Sequence, residues 1–385
     1  MAIYLDSNAT TRVHPEVIEA MMPFFTDRWQ NPSSAYRSSA TVRDAVEHAR
    51  EQVASLIGAK SSEIVFTGSG SEANNAAIKS LAREVGRTHS KVLVSEIEHS
   101  AVLRPVAAMS AVGFEVEKIG VEEDGRLDLG GFSRAVDASC PGFVSLMWAN
   151  NETGVTQPLA EVCRLAKKAG WFVHSDAVAA IGKVPVRVDE VPVDFLSLSG
   201  HKFHAPKGIG ALFIREGTPY EPMIRGGGQE RGRRSGTENV PYIVGLGAAA
   251  AILAAELEKG ALNQVGHLRD RLEEGLRRQL GEGPEGVRFN GSREHRTPNV
   301  AHLSFGGCRA ADLITALDEV GVECASGSAC MAGKQNRVSH VQKAMGFDDE
   351  RALGGLRFSL SLFTSGEEID EAVRRIVGTV AGLKA

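Results

Sequence analysis

Three residues past an apolar run stands the lysine that gives this chain its strongest chemical signal. The run is Val193-Asp-Phe-Leu-Ser-Leu-Ser199, and Gly200-His201-Lys202 follows it. Ligands of α/β proteins gather at the carboxyl ends of strands. An amine there is placed to form a Schiff base with an aldehyde cofactor. The plain alternative is a surface lysine in a turn, and Pro206-Lys207-Gly208 supplies such a turn.

Other residues add to the signal. Asp176 follows the strand-like stretch Trp171–Ser175. A carboxylate in that position can keep a pyridine nitrogen protonated, so that the ring accepts electrons from a carbanion. Capping a helix is its ordinary alternative. Thr67-Gly-Ser-Gly-Ser-Glu-Ala-Asn-Asn75 is a small-residue turn between a strand and a helix. Free amides at a helix N-terminus suit a phosphate. His99 follows the strand Lys91–Ser95, where a flat imidazole can stack on a flat ring and move protons near neutrality. The Gly- and Arg-rich stretch Gly226–Thr237 is either a solvated loop or a donor of hydrogen bonds to an anion across a subunit boundary. Arg357, late in a strand-like run, can grip a carboxylate with two parallel hydrogen bonds. Cys330 lies among small residues with Lys334, Arg337 and His340 downstream, a setting for a reactive thiol. The other four cysteines, Cys140, Cys163, Cys308 and Cys324, sit in apolar or helical surroundings.

These positions need a scaffold, and the pattern of the chain supplies one. Short β-rich runs at Glu63–Thr67, Lys91–Ser95, Phe143–Trp148, Trp171–Ser175 and Asp194–Ser199 alternate with amphipathic stretches at Val42–Leu56, Glu72–Glu84, Ser100–Val112 and Leu159–Ala169. Such alternation predicts a mostly parallel sheet covered by helices on both faces. After Pro241 the pattern becomes one long helical region from Val244 to about Leu280, ended by Gly281–Gly286. A second set of strands and helices follows. We expect a large domain over residues 13–258 and a small α+β domain made of 1–12 and 259–385.

In order along the chain, Tyr4–Thr11, Ser71-Glu72, Glu98-His99, Asn150–Gly154, His174–Ala177, Ser199–Lys202, Arg231–Thr237, Ser326–Cys330 and Arg357–Leu360 resemble the cysteine desulfurases of the NifS/IscS type. That family belongs to the class V aminotransferase-like enzymes, which depend on pyridoxal 5'-phosphate (PLP) and share the type I PLP fold, an α/β fold with a seven-stranded-type sheet. The resemblance implies a role for each position. Lys202 holds the cofactor and moves the substrate Cα proton, Asp176 pairs with the pyridine nitrogen, and His99 stacks on the ring. Gly70, Ser71, Ser199 and His201 take the phosphate, joined by Thr237 from the second subunit of a homodimer. Asn151 and Arg357 hold the carboxylate of L-cysteine. Cys330 takes the substrate sulfur as a persulfide and passes it to sulfur-acceptor proteins, such as an iron–sulfur scaffold. The chain departs from the family pattern in three places. Ala179 stands where Gln is usual, Ala205 replaces a Gly, and the stretch from Cys330 to Ser339 is one residue longer, with Val338 in place of proline.

Bulk properties narrow the field. The 385 residues exceed one ordinary domain, and 43% hydrophobic with 24% charged residues fits a globular chain. A net charge of −5 gives no reason to expect nucleic acid or an anionic membrane as partner. No signal segment precedes Asp6, and the longest apolar stretch, Val244–Ala255, falls short of the ~20 residues of a span. Five scattered cysteines point to reduced thiols in the cytoplasm, and Cys324 and Cys330, spaced C-x5-C without a second pair, do not make a zinc site. Two rival readings remain: another class V reaction (selenocysteine lyase or aminotransferase), which needs no thiol at Cys330, and a non-catalytic scaffold that binds sulfur acceptors.

Overall fold

The computed structural model describes residues 2–86, 91–136, 141–327 and 338–384, so Cys140, Cys330, Lys334 and Arg337 lie outside the described residues. In chain order the strands are β1 (Ile3–Tyr4), β2 (Ile64–Thr67), β3 (Lys91–Ser95), β4 (Glu115–Ile119), β5 (Phe143–Ser145) and β6 (Phe172–Asp176). They continue as β7 (Phe195–Ser199), β8 (Gly210–Ile214), β9 (Val287–Phe289), β10 (Val300–Phe305), β11 (Val322–Glu323) and β12 (Gly355–Ser359). Seven of them form one sheet in the order β2-β8-β7-β6-β5-β3-β4. All its neighbours pair in parallel except at β8, which runs against both β7 and β2.

The expected mostly parallel, seven-stranded sheet is present, and two of its strands, β4 and β8, are not among the β-rich runs read from the chain. β4 is an exposed, charged edge, and β8 is a fully buried apolar run with no alternation to mark it. β7 is likewise buried at every position, because helices cover both faces. The helical region after Pro241 also differs from expectation. It forms two helices, Val240–Glu258 and Ala261–Leu280, parted at Gly260, whose φ of 78° is left-handed and costs a residue with a Cβ about 1–2 kcal/mol.

Val240–Glu258 is long and apolar enough by composition to cross a membrane. In this fold it lies against Arg37–Ile57 and Pro15–Met21 as a core helix. The approach is close: a Cβ on Gly247 would fall 2.5 Å from the Ala49 Cα. Buried apolar residues gather around each sheet separately. Val17, Val53, Leu196, Leu246 and Leu253 share a cluster with the seven-stranded sheet. Ile3 and Leu5 pack instead with Leu272, Leu303, Phe358 and Ile376, around the antiparallel sheet β12-β10-β9 and the pair β1-β11.

One buried ion pair pins the loop before Thr237 to this framework. The Arg50 guanidinium donates to both carboxylate oxygens of Glu230, at 2.7 and 3.0 Å, and the Phe66 amide donates to the same carboxylate at 2.8 Å. Both side chains are 3% exposed, and Glu230 sits at a left-handed φ of 50°. Removing one partner of a buried pair costs about 3–5 kcal/mol, far more than the pair contributes net. Glu230→Gln is therefore expected to lower unfolding free energy by about that amount in denaturant titrations. Replacing Arg50 and Glu230 together by Met and Leu should recover part of the loss but not all, since the Phe66 amide stays unpaired.

Candidate active site

The carboxyl ends of β6 and β7, the first turn of the helix Gly70–Val85 and the N-terminal segment enclose a cavity of about 240 Å³. Its lining includes Gly70, Ser71, His99, Asn151, Asp176, Ser199, His201, Lys202 and Arg357. Nine of the eleven candidate positions thus meet in one place. Thr237 does not line it; it lines a second cavity with Gly68, Arg234 and Glu238. Cys330 is outside the described residues.

Lys202 ends a single turn of 3-10 helix, Gly200–Lys202, directly after β7. Its Nζ donates to the carbonyls of Asn8 and Ala9, at 2.9 Å for the second. The N-terminal segment is held in turn by this loop, for the Thr11 amide donates to the His201 carbonyl at 2.8 Å. His201 is kept neutral: burial above all, then the charges of Lys202, Lys207 and Lys183, push its pKa down to about 4.

Asp176 is the last residue of β6 rather than the first after it, and it is 5% exposed. Its Oδ2 accepts from Asn74 Nδ2 at 2.6 Å and its Oδ1 from the Val178 amide at 2.9 Å. Asn74 lies one turn into the helix that begins at Gly70, so one element presents both the free amides of a helix N-terminus and the carboxylate's support. No role for Asn74 follows from the sequence alone; its spacing from Gly70 is the available clue. At the helix start a Cβ on Gly70 would lie 2.7 Å from Val178 and 3.2 Å from the Ser199 Cβ, so only glycine leaves this cradle open. Glu72 braces the turn by accepting from the Gly68 amide at 2.8 Å and from Arg234 Nε at 2.9 Å.

His99 caps the helix Ser100–Ser110, its Nδ1 accepting from the Ala101 amide at 3.1 Å. The capping role is thus present: Nδ1 fixes the ring, and Nε2 is its other nitrogen. Arg357, third residue of β12, is 1% exposed. It donates to the Asn151 carbonyl at 2.9 Å and pairs with Asp6, while its buried Nε has no hydrogen-bond partner. That Nε is sealed from solvent as well as unpaired.

Behind His99, Glu98 is wholly buried. One oxygen accepts from the Met147 amide at 2.6 Å and the other has no partner. Burial, with the nearby charge of Asp176 adding to it, raises its pKa well above the usual carboxyl value and so favours its protonated form. A raised folded pKa gives stability that is complete below the unfolded value of 4.5 and is lost as pH climbs toward the folded value. Glu98→Gln mimics the neutral acid at every pH. Between about pH 5 and 7 its unfolding free energy should fall less steeply with pH than that of the wild type, by up to one proton per molecule; equal slopes would show that Glu98 ionises in the fold.

The residues fit PLP: free amides at a helix N-terminus for the phosphate, a supported carboxylate at Asp176, a flat imidazole at His99 and an amine at Lys202. With the mostly parallel sheet, they define an α/β enzyme of the type I PLP fold. A family model described as Aminotransferase class-V matches residues 3–372, and the chain belongs to that family, whose cofactor is PLP. It is 44% identical to a protein named cysteine desulfurase from Sinorhizobium fredii, over 99% of this chain and 97% of the relative. It is 42% identical to the cysteine desulfurase NifS of Azotobacter vinelandii, over 99% and 93%. A solved structure described as a NifS-like protein superposes with a TM-score of 0.92 at 37% identity, covering 99% of this chain and all of that one.

Proposed function

We propose that this chain is a cysteine desulfurase, converting L-cysteine to L-alanine and leaving the sulfur on Cys330 as a persulfide. The gathering of Lys202, Asp176, His99 and Arg357 around one cavity carries the reading, and the full-length likeness to proteins of that name supports it. PLP, when bound, withdraws electrons from the substrate Cα and so makes the Cβ–S bond labile. The chain's own groups do the rest. Arg357 and Asn151 orient the substrate carboxylate and Lys202 moves the Cα proton, while Asp176 would pair with the cofactor's ring nitrogen and His99 would pack on its ring and exchange protons with the substrate. The Cys330 thiolate then forms an S–S bond to the substrate sulfur as the Cβ–S bond breaks. The bonding pair stays with carbon, which takes a proton, so atoms and electrons balance.

The described thiols are poor rivals for this step. Burial pushes Cys163 and Cys324 up to about 12, and it raises Cys308 as well. All three remain thiols at neutral pH, whereas capture of sulfur needs a thiolate. The two described flanks of the Cys330 stretch meet beside the cavity. Ser339 Oγ donates to the Glu152 carboxylate at 2.5 Å, and a Cβ on Gly327 would lie 3.0 Å from the same carboxylate. Glu152 adjoins Asn151, which lines the cavity. Val338 packs with Ile97, Met147 and Val341, a contact that suits the residue found where proline is usual.

We further propose a homodimer of two-domain subunits, divided as 13–258 and 1–12 with 259–385, working in the cytoplasm. Ile18, Met22, Phe25 and Trp29, on two short helices and the segment after them, are exposed by 49, 49, 52 and 71%. A second copy covering them would form a two-fold interface, and Thr237 is the residue we assign to the partner's phosphate. The sulfur acceptor is an iron–sulfur scaffold or a comparable protein.

Two experiments test these readings. Cys330→Ser should keep the cofactor, with borohydride fixing it to Lys202, yet release alanine at a rate lower by about 100-fold or more. Wild type treated with cysteine should gain one sulfur on the peptide holding Cys330; sulfur chiefly on Cys324 would refute the assignment. Sedimentation should give a dimer, and Trp29→Glu with Phe25→Glu should yield monomers that lose cofactor; an active, PLP-saturated monomer would refute shared sites.

A further inference from the structure

Lys183 is a buried cation that none of the steps above uses. It sits in the turn after Asp176, is 7% exposed, and donates from Nζ to the backbone carbonyl of Lys202 at 3.0 Å. The small cavity beside it is lined by Thr11, His204, Leu253, Asn299 and Leu360 among others, and no described carboxylate lines it. The ionisable groups facing it are Lys202, His201 and His204, and none carries negative charge. From the helices Val240–Glu258 and Ala261–Leu280 and from residues 360–362 come only neutral side chains.

We propose that Lys183 is a positioning residue for Lys202, holding its main chain from behind and opposing positive charge on its side-chain nitrogen. The inference rests on the reading that Lys202 carries PLP. A desolvated lysine beside a second cation loses its proton more readily. Lys183 itself responds so: burial first, then the Lys202 charge, lower its pKa to about 7. The arrangement keeps the Lys202 nitrogen able to give up a proton near neutrality, as a group that must move the substrate Cα proton requires.

The sign follows from Coulomb's law. A positive Lys183 disfavours the protonated form of the Lys202 nitrogen, so removing the charge raises the pH at which that nitrogen deprotonates. The PLP-loaded protein, without substrate, is titrated by the visible absorbance of its bound cofactor as wild type, Lys183→Met, Lys183→Gln and Lys183→Arg. Met and Gln should raise the midpoint by about one pH unit, the size of a charge effect at this range. Arg should leave it unchanged or lower it. Because Lys183 titrates close by, the wild-type curve should be broader than a one-proton curve, and the Gln curve should regain one-proton shape. Gln keeps a donor for the Lys202 carbonyl, so a purely structural role predicts wild-type behaviour for Gln. That result overturns the proposal, as does an unchanged midpoint in Met with full cofactor occupancy. If borohydride fixes the cofactor to a lysine other than Lys202 in wild type, the parent reading fails, and this one with it.

Discussion

Segment 5–11 is the strand of chain on which the site depends. Its Ser7 amide donates to the Ser359 carbonyl at 3.0 Å, the Asn8 amide to Ser359 Oγ at 2.9 Å, and Ser359 returns a bond to the Leu5 carbonyl at 2.7 Å. On its other side Asn8 and Ala9 receive the Lys202 amine, and Thr11 binds the His201 carbonyl. Asp6 pairs with Arg357, which also donates to the Asn151 carbonyl. Stretches far apart in the chain are joined by this short segment. The Lys202 turn belongs to the seven-stranded sheet and β12 to the antiparallel one, so the segment sets the distance between the Lys202 amine and the Arg357 guanidinium. Positioning of that kind is where much of an enzyme's barrier reduction arises.

Charge is distributed with the same economy. Lys202, Asp176 and Arg357 share the lining of one cavity, Asp6 pairs with Arg357, and burial favours the neutral form of Glu98. His174, in β6, is also neutral, its pKa lowered to about 3 by burial, and it links Ser145 and Ser197 on the flanking strands. The two cations of that lining can meet a phosphate and a carboxylate, and the neutral buried groups add hydrogen bonds without adding charge.

Much of this was legible in the sequence, and the limits have physical causes. Strand ends could be read because Asp176 and Lys202 follow apolar runs, and the helix start at Gly70 because small residues precede an amphipathic stretch. The strand β8 was hidden because burial on both faces erases alternation, and β4 because an edge strand with charged residues resembles a loop. Gly260 was overlooked as a break because apolar periodicity resumes directly after it. Pairings between distant residues left no local mark. Asn74 with Asp176, Asp6 with Arg357 and Lys183 with the Lys202 carbonyl each join positions that no spacing rule connects.

Arg357 illustrates what such long-range pairing changes. Read alone, it is a guanidinium awaiting a substrate carboxylate. In the fold two of its nitrogens are already engaged by Asp6 and the Asn151 carbonyl, and only Nε remains without a partner. An arginine free to swing pays conformational entropy when it binds; one fixed by a carboxylate and a carbonyl has paid it in folding. A rigid guanidinium also discriminates by position. Moving it to follow a misplaced carboxylate would break the Asp6 pair, and a largely buried pair resists that change. Under the proposed role of Arg357, selectivity among amino acids would follow as much from what this guanidinium is already bound to as from the shape of the cavity around it.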